Sequence, residues 1–185
     1  MTEHVILFAG PMGAGKTTAI ASLSDIDVVR TEAANTDRES FDKETTTVAL
    51  DYGEITVGDE EKVRLYGVPG QRRFDFMWRI LAERAKGLVL LVNNDADDPA
   101  ALVLEYLDEF HELHERGGVV VAVSRTDIAP EPGVEVIAEA VARARPGTVI
   151  PVFPVDPRDA GHMRMVLMSL IVNLETRAAL AGVRP

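Results

Sequence analysis

The chain contains no cysteine, which excludes disulfides, thiolate catalysis and cysteine-ligated zinc or iron–sulfur centres. Basic residues are in deficit: 19 Lys and Arg stand against 30 Asp and Glu, for a net charge of −11. Nucleic acid and anionic membrane both recruit a surplus of cations, so neither is expected as the main partner. Long hydrophobic runs are scarce near the N-terminus. The run VILFAG follows Glu3 and His4 rather than basic residues, and it is far too short to span a bilayer. Thr2 stands where myristoylation needs glycine, and the terminal AGVRP holds no cysteine for prenylation. The expectation is a cytoplasmic protein without direct membrane insertion, any membrane association running through partner proteins. The rest is ordinary for a soluble globular chain: 46% hydrophobic and 26% charged residues over a length of 185. That length predicts a single domain over 1–185.

Apolar runs rich in Val, Ile and Leu alternate with amphipathic stretches. Residues 4–9, 62–68, 87–92, 118–123 and 148–153 read as strands. Three of these are continuous apolar runs, as parallel strands covered on both faces require. Helices are expected over 99–116, 133–143 and 159–179. The first is capped by Asp98, with Pro99 in its first turn and Val103, Tyr106, Leu107, Phe110 and Leu113 on one face. The segment 45–67 breaks the alternation. Its two strand-like runs join through Gly58-Asp59, a hairpin signal that makes one strand antiparallel at the sheet edge. Residues 25–44 are polar and aperiodic, and long for a connection; such loops usually carry function.

The stretch GPMGAGKTT at 10–18 matches G-x-x-x-x-G-K-[ST], with a strand leading in and a helix leading out. In such a loop the backbone of Gly10, Met12, Gly13, Ala14 and Gly15 wraps with its N–H groups inward, a nest for anionic oxygens at a helix N-terminus. Lys16 is placed to reach the outer phosphates of a nucleoside triphosphate, Thr17 to offer its hydroxyl to Mg²⁺, and Thr18 to bond an α-phosphate oxygen. The fold expected is a three-layer α/β P-loop NTPase fold: about six mostly parallel strands with one antiparallel edge strand, and helices on both faces.

At the end of the strand expected over 62–68, Val68-Pro69-Gly70-Gln71 resembles the D-x-x-G-Q motif of Ras-type small GTPases. The longer stretch LYGVPGQRRFDFMW, at 65–78, is similar to bacterial MglA-like small GTPases and their actinobacterial conservon relatives. In those an FGTPGQ-x-RF-x-FMW pattern follows a TTTVAMDFG-like stretch, which TTTVALDYG at 45–53 matches here. SRTD at 124–127 stands where that family reads guanine. The resemblance covers about residues 4–178 and implies a GTP/GDP- and Mg²⁺-binding switch with slow GTP hydrolysis, signalling through loops at about 25–47 and 67–82. It also implies a roadblock-type protein as regulatory partner. By the same resemblance, Gly70 bonds the γ-phosphate through its N–H and Gln71 positions the hydrolytic water. Thr46 or Thr47 closes on Mg²⁺, with Thr47 preferred because Asp51 follows four residues on. Asp127 accepts from guanine N1 and N2, and the segment 153–158, with Val155 and Asp156, backs the base.

Three positions depart from the pattern. Gly67 replaces the strand-end aspartate that supports Mg²⁺, and Asp51, on the neighbouring strand, is the proposed substitute. Ser124 and Arg125 replace the Asn and Lys of N-K-x-D; an arginine can stack on a base through its planar guanidinium. Thr46 occupies the place of an intrinsic arginine, leaving Arg30, Arg38, Arg72 and Arg73 as candidates. An arginine finger is worth roughly 10³–10⁵ in rate, so intrinsic turnover is expected to be slow without one. The aromatic cluster Phe74, Phe76 and Trp78 is readable either as core or as an exposed partner surface. Two alternatives stand beside the switch: a P-loop small-molecule kinase or ATPase, and a nucleotide-binding protein with little turnover.

Overall fold

The computed structural model describes residues 3–33, 48–57, 61–71 and 74–182. Seven strands form one sheet in the order β2-β3-β4-β1-β5-β6-β7. They are β1 (Glu3–Ala9), β2 (Val29–Ala33), β3 (Val48–Val57), β4 (Glu61–Gly67), β5 (Gly87–Asn93), β6 (Val119–Ser124) and β7 (Val152–Pro154). From β4 to β7 every pairing is parallel, while β3 runs antiparallel to both β2 and β4. The apolar runs at 87–92 and 119–123 form interior strands with both faces covered, so no position in them needs to be polar.

Alternation along the strands feeds two separate cores. On one face Leu7, Ala9, Leu88, Leu90 and Val92 pack with Trp78, Leu107 and Phe110 from α2 (Asp75–Arg84) and α3 (Pro99–Glu109) and the residue after it. On the other, Ile6, Phe8, Val89 and Leu91 meet Ile20 of α1 (Lys16–Leu23) and Met163, Val166 and Leu170 of α6 (Ala160–Gly182). Helix α6 is long and apolar enough to cross a membrane, but its Met163, Val166 and Leu170 are buried against the sheet. The expected cap of α3 is present: Asp98 Oδ1 accepts the Ala101 N–H at 2.9 Å behind Pro99.

Four expectations about elements need correction. The sheet has seven strands rather than about six, and its antiparallel strand is not at the edge. The missed strand is β2, inside the polar connection at 25–44. Pairing with β3 satisfies its backbone, which outweighs weak periodicity. The helix expected over 99–116 divides at Phe110 into α3 and the short α4 (His111–Glu115), because Phe110 leaves helical geometry at φ −104° and ψ 33° while its ring stays in the core. The last strand is confined to Val152–Pro154; only the Pro151 carbonyl precedes it in pairing, accepting from Val121 N–H at 2.8 Å. Helix α5 (Val134–Ala144) stands one residue from its expected place. The hairpin direction is as expected, with the Gly58-Asp59 turn itself outside the described residues.

The aromatic question resolves toward the core. Phe74, Met77 and Trp78 are buried. Trp78 stacks on Tyr106 and Phe110 at centroid separations of 5.1 and 5.7 Å, and its Nε1–H donates to Pro69 O at 3.0 Å. That bond ties α2 to the segment carrying Gly70 and Gln71. The side chain of Phe76 lies outside what is described.

Candidate functional site

The loop between β1 and α1 is shaped by what surrounds it. Gly10 adopts φ +139°, and a Cβ there would sit 2.0 Å from Leu91 O, so only glycine fits. The first turn of α1 has no side-chain cap, so its N–H groups are left for a ligand. Lys16 bridges the loop, its Nζ donating to Gly10 O and Pro11 O, each at 2.8 Å. Burial lowers its pKa to about 8, against the opposing pull of the Asp51 carboxylate. A desolvated cation held by carbonyl oxygens is poised for a stronger, anionic partner.

Asp51 and Gly67 face each other as Cα partners on β3 and β4. Thr17 Oγ1 donates a hydrogen bond to Asp51 Oδ2, bringing the loop hydroxyl and the substitute carboxylate together. A Cβ built on Gly67 would lie 3.1 Å from Asp51 Cβ and 3.4 Å from its Oδ2. Asp51 therefore fills the space a side chain at 67 would claim. A hydroxyl and a carboxylate oxygen are the hard donors that Mg²⁺ takes beside phosphates. Among the described residues no group of three or more His, Asp or Glu could hold a metal by itself. Phosphate oxygens would have to complete any such site.

Gly70 packs against the loop so closely that a Cβ would meet Met12 N at 2.6 Å and Gly10 O at 2.7 Å. Gln71 is exposed beside it, its Nε2 3.9 Å from Met12 Sδ. Thr46, Thr47, Arg38, Arg72 and Arg73 lie outside the described residues, and Arg30 is described only as backbone of β2.

Beyond the loop opens a cavity of about 400 Å³. Gly13, Ala14, Gly15 and Thr18 form one side; Asn93, Ser124, Arg125 and Asp127 form a second; Val155, Asp156, Pro157 and Arg158 form a third. Residues far apart in sequence and singled out on separate grounds thus converge. Arg125 holds φ +63°, an uncommon conformation for a non-glycine residue that gathers at functional sites. Its guanidinium pairs with Asp95 at 2.8 Å, so the expected stacking group is already engaged with a carboxylate. Ser124 lines the cavity but is almost fully buried, and its Oγ is committed to Asn93 Oδ1, to which it donates at 2.8 Å. Asp156 is likewise committed. It accepts from Arg158 N–H at 2.9 Å and from Arg158 Nη2 at 2.8 Å, and these bonds lower its pKa to about 2.

Two features of this end escaped the sequence reading. Asn93 lines the cavity, and the only cue was a polar residue at the carboxyl end of a continuous apolar strand. The third wall also offers no spare backbone donor. Val155 N–H goes to Val123 O, Asp156 N–H to His162 Nδ1 at 3.1 Å, and Arg158 N–H to Asp156, while Pro157 has none.

Comparison with known proteins agrees with this geometry at the level of fold. The pattern of a family described as conserved hypothetical ATP binding protein matches residues 25–143. The uncharacterized protein MJ1339 of Methanocaldococcus jannaschii is 33% identical over 90 residues, 49% of this chain and 50% of its own length. The chain thus spans about half of that relative. Among solved structures, the G domain of the T. maritima FeoB iron transporter superposes with a TM-score of 0.64 at 14% identity, over 93% of this chain and 99% of its own. A bacterial selenocysteine-specific elongation factor, EF-Sec, gives 0.65 at 19% identity, over 95% of this chain and 29% of its own. The fold is that of P-loop GTPase G domains, a mostly parallel mixed sheet between helices.

Proposed function

The chain belongs to the family of conserved hypothetical ATP binding proteins, and from that premise we propose that it is a GTP-binding molecular switch with slow Mg²⁺-dependent hydrolysis to GDP. One observation carries the reading: the phosphate loop and Asp127 share a single cavity sized for a nucleoside. A carboxylate there accepts from guanine N1–H and N2–H, a donor pair that adenine lacks. In this reading the amides of Gly10, Met12, Gly13, Ala14, Gly15 and Thr18 and the Lys16 ammonium hold the phosphates. Thr17 and Asp51 hold Mg²⁺, with Thr47 joining in the triphosphate state; the ion neutralises charge on the transferring phosphoryl group. Gly70 senses the γ-phosphate from its seat on the loop, and Gln71 orients water. Ser124, Arg125, Val155 and Asp156 shape the base end.

The switch segments are the stretches at about 25–47 and 67–82, anchored by β2 on one side and by the Trp78–Pro69 bond on the other. The motifs at 45–53 and 65–78 support placement near the MglA-like and conservon GTPases, and with it a roadblock-type regulator and a cytoplasmic setting.

One observation favours a second reading, an ATP-binding protein. The wall at 155–158 has no backbone N–H for the guanine O6 acceptor, which weakens the penalty against adenine. Calorimetric titration of nucleotide-free protein with GDP and with ADP, each with Mg²⁺, separates the two. Guanine reading by Asp127 requires GDP to bind about tenfold or more tightly, about 1.4 kcal/mol. Equal binding, or preference for ADP, assigns the cavity to ATP chemistry or to a kinase.

A further inference from the structure

Asn93 has no task in the reading above, yet it lies at the base end of the cavity. It closes β5 and is the Cα partner of Ser124 at the end of β6. The Ser124 hydroxyl donates to its Oδ1 at 2.8 Å, which ties down the acceptor end of the carboxamide and leaves the NH₂ end pointing elsewhere. The next residue, Asn94, lies in the turn after β5 and is not among the residues that line the cavity. It is buried and its Nδ2 donates to Ala129 O at 2.6 Å, so it braces the turn that carries Asp127. The two asparagines therefore have separate roles, and only Asn93 lines the cavity.

Purines of both kinds expose an N7 acceptor on the edge away from the Watson–Crick face. Across the cavity, the wall at 155–158 has spent every backbone donor within the protein. A side-chain donor can meet that edge instead, and Asn93, which lines the cavity, carries an NH₂ on the carboxamide whose oxygen Ser124 holds. We propose that Asn93 is a base-positioning residue whose Nδ2 donates to N7 of the bound purine. The amide that an asparagine at 124 would present from β6 is here presented from β5, and Ser124 serves to hold it. The inference rests on the proposed placement of a nucleoside in this cavity. It also divides the labour: N7 is common to adenine and guanine, so Asn93 sets affinity for either, and Asp127 sets the choice between them.

The test is titration of the full chain, with Mg²⁺, against GDP and 7-deaza-GDP, which differ only in that N7 is a carbon bearing hydrogen. Wild-type protein should bind the deaza analogue about tenfold more weakly, the scale of one desolvated hydrogen bond. N93A should bind both ligands alike, near the wild-type level for 7-deaza-GDP, and its GDP-to-ADP ratio should stay that of wild type. Equal binding of the two ligands by the wild type overturns the inference while leaving the nucleotide site intact, as does an N93A variant that keeps full discrimination. Failure of the wild type to bind any of the three nucleotides overturns the nucleotide reading itself, and the inference with it. The wild-type comparison needs no variant, so a poorly folding N93A leaves it decisive.

Discussion

The pairing of Asp51 with Gly67 makes a prediction that neither residue makes alone. A carboxylate at position 67 would stand opposite the one at 51, with Cβ atoms 3.1 Å apart and Ile20 Cδ1 equally close to the newcomer. Overpacking of this kind costs about 1–3 kcal/mol, and like charges directly opposite on paired strands add to it. We expect Gly67→Asp to lose about 2–3 kcal/mol of stability. Asp51→Gly should lose about 1–2 kcal/mol, from an added strand glycine and the broken Thr17 hydrogen bond. Independent effects would sum to about 3–5 kcal/mol in the double variant. Instead the exchange Asp51→Gly with Gly67→Asp removes the contact with residue 51, leaves only that with Ile20, and returns the carboxylate to the same space, so the loss should fall below that of Gly67→Asp alone. Urea unfolding of nucleotide-free protein measures the four corners of this cycle. GDP titration with and without Mg²⁺ measures function at the same corners: Asp51→Gly should abolish the gain from Mg²⁺, and the exchange should recover most of it. Additive stabilities would refute the shared-space argument. An Asp51→Gly protein whose GDP affinity still rises with Mg²⁺ would sink Asp51 as a metal ligand.

Lys16 provides a pH signature. Its folded pKa of about 8 lies below the ordinary lysine value of 10.5, so between those values the unfolded chain binds more protons. The nucleotide-free protein should then gain stability as pH rises from 8 to 10.5, by about 3 kcal/mol at most; below pH 8 the full burial cost remains. Urea unfolding across that range should show this slope in wild type and its loss in Lys16→Met. Gly10→Ala forces a Cβ onto Leu91 O at 2.0 Å with φ +139°, and should cost at least about 3 kcal/mol. In a circular dichroism melt of a chain this long that is a fall of about 6–12 °C; a shift under 3 °C would contradict the packing. His114 is buried, with Nδ1 unpartnered. Burial first, then the Arg145 charge, hold its pKa below the usual range. Stability should therefore be lost as pH falls through the ordinary histidine range, because the unfolded chain then takes up the proton more readily. His114→Gln should flatten that acid limb of the unfolding free energy.

Local signals were the legible ones. GPMGAGKTT carries its own flanks, and the buried strands β5 and β6 announce themselves as unbroken apolar runs. Asp98-Pro99 marks a helix start that the Ala101 N–H confirms. The strand β2 was not legible, because its partner β3 lies beyond a long connection and the pairing, not the composition, makes it a strand. The division at Phe110 was hidden for a related reason: its apolar periodicity continues while the backbone leaves the helix.

The site shows the same limit in a sharper form. A motif assigns a chemical group to a position, and by that test Gly67 and Ser124 are deletions. In the folded chain each is the Cα partner of a residue carrying a group of the missing kind: Asp51 opposite Gly67, Asn93 opposite Ser124. Paired residues on neighbouring strands have Cβ atoms about 5 Å apart, within the reach of a short side chain, so a function can cross the ladder without moving in space. Asp51 could be guessed because the hairpin joining its strand to β4 is short and its register follows from the turn. Asn93 could not, since β5 and β6 meet only through a crossover that fixes no register in the sequence. Loss of a motif residue at the end of a strand is therefore a reason to inspect its ladder partner before a site is judged degenerate.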